Sequence, residues 1–146
     1  MVPIANLCRR DLMEKGGRVR EEVKWWVEVA RKNLERAEAS VERGDFEAAV
    51  FWSQQTVEFM LKALVLFKGM LPPKTHNLVE LYGLVRDLVG DVAEELLSEL
   101  TPYYSISRYP DIFPGVPVVH RNTALRFLRF SRELFRKACE VMGVEV

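Results

Sequence analysis

The chain has 146 residues, of which 49% are apolar and 29% are charged, and its 21 basic residues balance its 21 acidic residues. This length is usual for one domain, and the apolar content excludes a disordered chain. A net charge of zero gives no sign of an overall coat of positive charge for nucleic acid, although a local basic patch is compatible with it. The high charge content, with two glutamines and four asparagines, leans towards a thermophilic source.

Cysteine usage and the lack of long apolar runs indicate the compartment. Cys8 and Cys139 are the only cysteines, and they match neither a zinc-ligand spacing nor a disulfide framework. The N-terminus lacks the apolar run of a signal peptide, and no stretch approaches the length of a membrane span. We therefore expect free thiols in a cytoplasmic protein that has no membrane partner.

Residues 1–21 form the first segment, which we interpret as an N-terminal arm. A short helix over Ala5–Glu14 is predicted to end at Gly16-Gly17, because paired glycines disfavour a continuing helix. The arm is either a frayed terminus or a segment that packs on a partner chain. The remaining residues, 22–146, are expected to form one helical domain.

Two long helices follow the arm. Apolar residues recur three and four apart over Glu21–Arg43, which predicts an amphipathic helix. Gly44 suits the position just past its end, and Asp45 suits the next N-cap. The second helix, Phe46 to about Lys68, is apolar on nearly all sides. This pattern predicts burial both by its own bundle and by a partner chain.

The rest of the chain is also expected to be helical. Three further helices are predicted, over Leu78–Leu88, over Val92–Leu100 and from about Asn122 to Met142. Asn77, at capping-box spacing from Glu80, is the expected cap of the first, and Asp91 that of the second. No segment has the alternation of a strand. The sequence therefore predicts an all-α, up-and-down bundle of four or five helices.

Three stretches together resemble a known family. Residues 26–69 contain an acidic-Phe/Tyr-x-x-Ala turn followed by Gln-x-x-Glu-x-x-x-Lys-Ala. These positions are Asp45, Phe46, Ala49, Gln55, Glu58, Lys62 and Ala63. "THNL" at 75–78 opens the third helix, and "SRYP" at 107–110 precedes the last. In this order and spacing, residues 22–142 resemble the HEPN family, the higher eukaryotes and prokaryotes nucleotide-binding domain.

The resemblance implies a helical bundle that often forms homodimers. Some members are encoded beside a small nucleotidyltransferase and act with it as a toxin–antitoxin pair. Active toxins of the family are metal-independent ribonucleases. Their site is an arginine followed after four to six residues by a histidine, and it is assembled across the dimer.

This chain keeps the arginine of that motif but lacks its histidine. Arg108 stands in the expected place to bind a phosphate. The positions for a histidine that would serve as general base hold Phe113, Pro114 and Gly115. His120 lies farther on, near the start of the last helix. Ribonuclease activity through Arg108 and His120 is therefore the alternative, and a non-catalytic module is the main prediction.

Four residues are candidates for ligand binding. Arg108 either binds a phosphate or pairs with a carboxylate such as Asp111 or Glu58. Tyr109 either stacks on a base or plugs the loop. His76 either joins a phosphate or metal site, or it caps a helix or satisfies a buried carbonyl. Lys62, in a row with Gln55 and Glu58, meets a carboxylate or a ligand.

No metal motif and no cofactor are expected, because neither histidine has partners at metal-ligand spacing. The last helix carries a basic side with Arg129, Arg132 and Arg136, which is either a solvated face or a contact for RNA, a nucleotide or an acidic partner. The sequence thus predicts a homodimeric module that binds a nucleotide or a partner protein and is paired with a small nucleotidyltransferase. A pure interaction subunit without a ligand is the third hypothesis.

Overall fold

A computed structural model of the chain describes residues 16–106 and 118–146, with side chains from residue 21 onwards. Within these ranges every regular element is a helix. They are α1 (Gly16–Glu42), α2 (Phe46–Phe67), α3 (Leu78–Val89), α4 (Glu94–Leu100), α5 (Tyr103–Ile106) and α6 (Arg121–Met142). The predicted all-α bundle is confirmed. None of the described helices carries an apolar run long enough to cross a membrane.

The first long helix starts earlier than predicted. Helix α1 begins at Gly16, whereas the sequence pattern placed its start at Glu21 and a helix end at Gly16-Gly17. Glycine is tolerated in a first turn, where the amides have no partner within the helix in any case. The short helix predicted over Ala5–Glu14 lies outside the described residues.

The turn between α1 and α2 forms as predicted. Gly44 has a positive φ of 75°, which glycine adopts without steric cost. Asp45 then caps α2, since its Oδ1 accepts a hydrogen bond from the amide of Ala48 at 3.2 Å. This tight connection lays α1 and α2 side by side.

Helix α2 is the centre of the bundle. It packs against α1, α3, α5 and α6 of the same chain. Its residues are therefore buried on several sides, from Ala49 to Leu66. Contacts within one chain account for the burial of these residues, and the predicted additional contact with a partner chain stays a prediction.

Of the three predicted caps, Asp45 and Asn77 are correct and Asp91 is not. Asn77 Oδ1 accepts hydrogen bonds from the amides of Val79 and Glu80 at 3.0 and 3.1 Å, and so caps α3. The prediction that Asp91 caps the next helix is wrong. Helix α4 begins at Glu94 without a side-chain cap. The Asp91 carboxylate instead accepts a hydrogen bond from Arg86 Nη2 at 2.7 Å.

The turn between α3 and α4 depends on a buried tyrosine. The hydroxyl of Tyr82 donates to the carbonyl of Gly90 at 2.7 Å and accepts from the amide of Val92 at 3.2 Å. Tyr82 is only 2% exposed, so water does not readily replace these bonds. One side chain thus satisfies a carbonyl and an amide at the chain reversal.

We expect Tyr82→Phe to lower the free energy of unfolding by about 1–3 kcal/mol, because it leaves two backbone groups without a partner. Urea unfolding followed by circular dichroism measures the change. The matched control is Tyr103→Phe, since the Tyr103 hydroxyl makes no hydrogen bond to the described residues. Equal losses in the two variants would contradict the role of the Tyr82 hydroxyl.

Candidate functional site

The most polar part of the interior is a row on helix α2. Gln54, Glu58 and Lys62 follow one another at intervals of one turn and therefore share one face. Their exposed fractions are 0%, 2% and 8%, so a carboxylate and an ammonium group are withdrawn from water together. Such burial is tolerated only when the charges are paired and hydrogen-bonded.

Both oxygens of the Glu58 carboxylate are occupied. Its Oε2 lies 3.2 Å from Lys62 Nζ. Its Oε1 accepts from Gln54 Nε2 at 3.2 Å and lies 2.9 Å from His76 Nδ1. Gln55 extends this network, since its Nε2 donates to Gln54 Oε1 at 2.6 Å. Glu58 is therefore the common acceptor that joins α2 to the segment before α3.

The Glu58 contact fixes the tautomer of His76. An ionised carboxylate only accepts hydrogen bonds, so Nδ1 of His76 carries the proton. In the neutral imidazole, Nε2 is then a hydrogen-bond acceptor. The His76 side chain is 47% exposed, and its Nε2 has no hydrogen-bond partner among the described residues. The structure thus presents an oriented imidazole at the protein surface.

An aromatic ring covers the imidazole. The rings of His76 and Tyr104 are stacked, with centroids 3.5 Å apart and planes inclined by 18°. Tyr104 belongs to the single-turn helix α5. Thr101 just before it accepts from the amide of Leu78 at 3.1 Å, which ties the start of α3 to the end of α4. These contacts hold the two rings in a defined place.

The sequence candidates fall into three groups. Lys62 and His76 meet at Glu58, so the structure brings these two together. His120 occupies the N-cap position of α6 without a capping hydrogen bond and makes no described contact with the Glu58 group. Arg108 and Tyr109 lie outside the described residues.

Two members of the cluster were not among the predicted site residues. Gln54 contacts Glu58 directly, whereas the sequence pattern predicted its neighbour Gln55 in the row. The spacing of four residues on one helix could have predicted the contact between Gln54 and Glu58. No sequence pattern could have predicted the stacking of Tyr104 on His76, because this contact depends on tertiary structure alone.

The described residues offer neither a thiol nucleophile nor a metal site. Cys139 is fully buried, and burial raises the pKa of its thiol, so the reactive thiolate is disfavoured. No group of three histidine, cysteine or acidic side chains among residues 21–106 and 118–146 is arranged to hold a metal ion. The chemistry of the site therefore lies in the imidazole and its aromatic cover.

These features define a helical-bundle protein whose central helix carries a buried polar row that supports a surface histidine. The family model of the HEPN domain matches residues 23–142, and the chain belongs to the HEPN domain family. No protein of curated function matches the chain.

Two solved structures are similar to most of this chain. The protein TT1696 from Thermus thermophilus is 32% identical, with a TM-score of 0.70, covering 82% of this chain and 97% of its own. ST0689, an archaeal HEPN homologue, is 26% identical, with a TM-score of 0.65 and the same coverage of 82% and 97%. Both similarities support the helical architecture described above.

We expect Glu58→Leu to lower the free energy of unfolding by about 3–5 kcal/mol, because it leaves the Lys62 ammonium buried without its carboxylate. The double variant Glu58→Leu/Lys62→Met should cost less than Glu58→Leu alone. Chemical unfolding measures both. Glu35→Leu, on the exposed side of α1, is the matched control and should change stability little. The pairing would be contradicted if the double variant lost as much free energy of unfolding as Glu58→Leu and Lys62→Met lose together when each is measured alone.

Proposed function

We propose that this HEPN-domain protein is a non-catalytic module that binds a nucleotide at His76 and Tyr104. The observation that carries the proposal is the Glu58–His76 contact of 2.9 Å, which fixes an exposed imidazole with its ring stacked on Tyr104. Flat rings held at a surface suit base stacking, and imidazole nitrogens suit hydrogen bonds to polar edges of a nucleoside.

Arg108 is the proposed contact for the phosphates. It follows Tyr104 by four residues in the sequence. The assignment rests on the sequence, because Arg108 occupies the position of the arginine in the motif that the family resemblance gives. A guanidinium group binds phosphate oxygens in bidentate fashion. Lys62 is assigned a supporting role, because its ammonium group is engaged by Glu58.

One observation favours a second candidate function, metal-independent RNA cleavage. His76 is oriented by a buried carboxylate through Nδ1, and its Nε2 has no hydrogen-bond partner among residues 21–106 and 118–146, which is the arrangement of a general base. Together with Arg108, His76 would then replace the histidine missing from positions 113–115. In this mechanism His76 Nε2 takes the proton of a ribose 2′-hydroxyl. His120 would have no part in it.

We expect isothermal titration calorimetry to show binding of ATP to the purified protein. His76→Ala should weaken it by about tenfold or more, since stacking and a hydrogen bond are both lost. Arg108→Ala should weaken it similarly. Arg136→Ala, an exposed arginine without a described partner, is the control and should leave affinity unchanged. No heat of binding with any nucleoside triphosphate would favour the interaction subunit without a ligand.

RNA cleavage in the presence of EDTA separates the two functions. The non-catalytic module predicts no cleavage of a labelled RNA above the level of Arg108→Ala. Cleavage abolished by His76→Ala but not by His120→Ala would establish the second candidate. Cleavage abolished by His120→Ala would support the family's arginine–histidine pair at Arg108 and His120 instead.

We also propose that the protein forms a homodimer through the outer face of α1. Trp25 and Val29 lie one turn apart there and are 63% and 41% exposed. The adjoining Trp26 packs on Phe59 of α2, with ring centroids 5.3 Å apart. An apolar patch on one helix is self-complementary about a two-fold axis, so a second copy would cover it with the same residues.

We expect light scattering coupled to size exclusion to give the mass of a dimer. Trp25→Glu should shift the protein to a monomer, because it places a charge in the proposed interface. Leu71→Glu, which alters another exposed apolar residue, should leave the dimer intact. A monomeric wild-type protein, or a dimer unaffected by Trp25→Glu, would rule this interface out.

Pairing with a small nucleotidyltransferase, as toxin and antitoxin, remains a proposal supported by the family resemblance. Affinity purification from the native cell, with bound protein and nucleic acid identified, tests it. Recovery of a nucleotidyltransferase in stoichiometric amount supports the pairing. Its absence from a complex that retains other partners opposes it.

A further inference from the structure

A second surface, which shares no lining residue with the stacked rings, has the properties of a docking site. A groove of about 410 Å³ runs between the start of α4 and helix α6. Its floor is apolar, with Val92 and Leu96 on one side and Phe130 and Leu134 on the other. Each pair is separated by one helical turn of sequence. Val92 and Leu96 are only half-buried, so this part of the apolar core opens to solvent.

Two cations along this floor have no partner in the described part of the chain. Arg129 and Lys137 line the groove, and both are exposed. Neither forms an ion pair or a hydrogen bond in the parts of the chain that the structure describes. Arg126, the third basic residue of the groove, is already paired with Glu99 of α4. The basic groups left to bind an occupant are therefore those of Arg129 and Lys137, and the acidic residues of the lining are Glu133 and Asp91, of which Asp91 is paired with Arg86.

The spacing of the two cations indicates the shape of the occupant. Arg129 and Lys137 are eight residues apart on one helix, which corresponds to about 12 Å along the axis. An occupant that pairs with both needs two anionic groups at this distance, with apolar material between them. Two carboxylates seven or eight residues apart on an amphipathic helix meet this requirement. A ligand with a single acidic head would reach only one of them.

The remaining charge in the groove favours a protein over a nucleic acid. Glu133 lies midway between Arg129 and Lys137 in sequence and lines the same groove. Its carboxylate would repel the continuous negative charge of a phosphodiester backbone. An occupant helix with acidic residues only at its two ends, and apolar residues between them, places no negative charge next to Glu133.

We propose that the groove between α4 and α6 binds an acidic amphipathic helix of a partner protein. The apolar side of the partner's helix packs on Val92, Leu96, Phe130 and Leu134. Its carboxylates pair with Arg129 at one end and with Lys137 at the other. This surface is independent of the proposed nucleotide site, and either assignment stands if the other fails.

Fluorescence anisotropy with a labelled synthetic peptide tests the proposal. The probe is a helix of about four turns with glutamates seven residues apart and leucines between them. The full chain should bind it saturably, and Arg129→Glu/Lys137→Glu should weaken binding about tenfold or more. Arg121→Glu/Arg136→Glu makes the same change of net charge on the same helix, at exposed residues outside this groove. This control should retain the affinity of the wild type.

Exchange of the charges gives a second readout that loss of folding does not mimic. A peptide with lysines in place of the glutamates should bind Arg129→Glu/Lys137→Glu more tightly than it binds the wild type. Leu96→Gln should weaken the glutamate peptide while the circular dichroism spectrum stays unchanged.

Three results would overturn the proposal. The first is absence of saturable binding of the glutamate peptide to the wild type. The second is an equal loss in the control variant, which would mean that only overall charge matters. The third is tighter binding of an oligouridylate than of the peptide to the wild type, with loss of that binding in Arg129→Glu/Lys137→Glu. This result would mean that the groove binds RNA.

Discussion

The buried carboxylate of Glu58 is the interaction on which the rest of the site depends. It sits on the central helix, where water is excluded, and both of its oxygens are occupied. Lys62 balances its charge, Gln54 satisfies a lone pair, and His76 is held through Nδ1. Because His76 in turn stacks on Tyr104, one charge inside the bundle sets the position of a ring on its surface. Loss of the carboxylate would therefore disturb the core and the site together.

The same contacts join elements that are far apart in sequence. Thr101 bonds to the start of α3, and Arg126 of α6 pairs with Glu99 of α4. Helix α4 thus contributes to both proposed surfaces. Tyr104 of the stacked rings follows it in the chain, and its residue Leu96 lines the groove along α6. A seven-residue helix without a side-chain cap is weak in isolation, so these tertiary contacts stabilise it. The two proposed surfaces share this scaffold but differ in chemistry.

Local sequence rules predicted the features that depend on local structure. Asp45 and Asn77 cap helices as expected, because a cap needs only its own following amides. Asp91 does not, since Arg86 competes for its carboxylate. The stacking of Tyr104 on His76 was not predictable, because it pairs residues on separate elements. The helix α2 pattern correctly predicted burial within the bundle. The predicted contact with a partner chain stays a prediction, since an apolar helix at the centre of one chain and one shared by two chains have the same sequence signature.

The central claim is that Glu58 fixes the His76 tautomer and thereby shapes the site. Long-range ¹H–¹⁵N spectra of the imidazole groups test it directly, and only two histidines are present, so His120→Gln assigns the signals. The account predicts that neutral His76 is protonated at Nδ1, that Glu58→Gln removes this preference, and that ATP shifts its Nε2 resonance. A neutral His76 protonated at Nε2 and unaffected by Glu58→Gln would contradict the account.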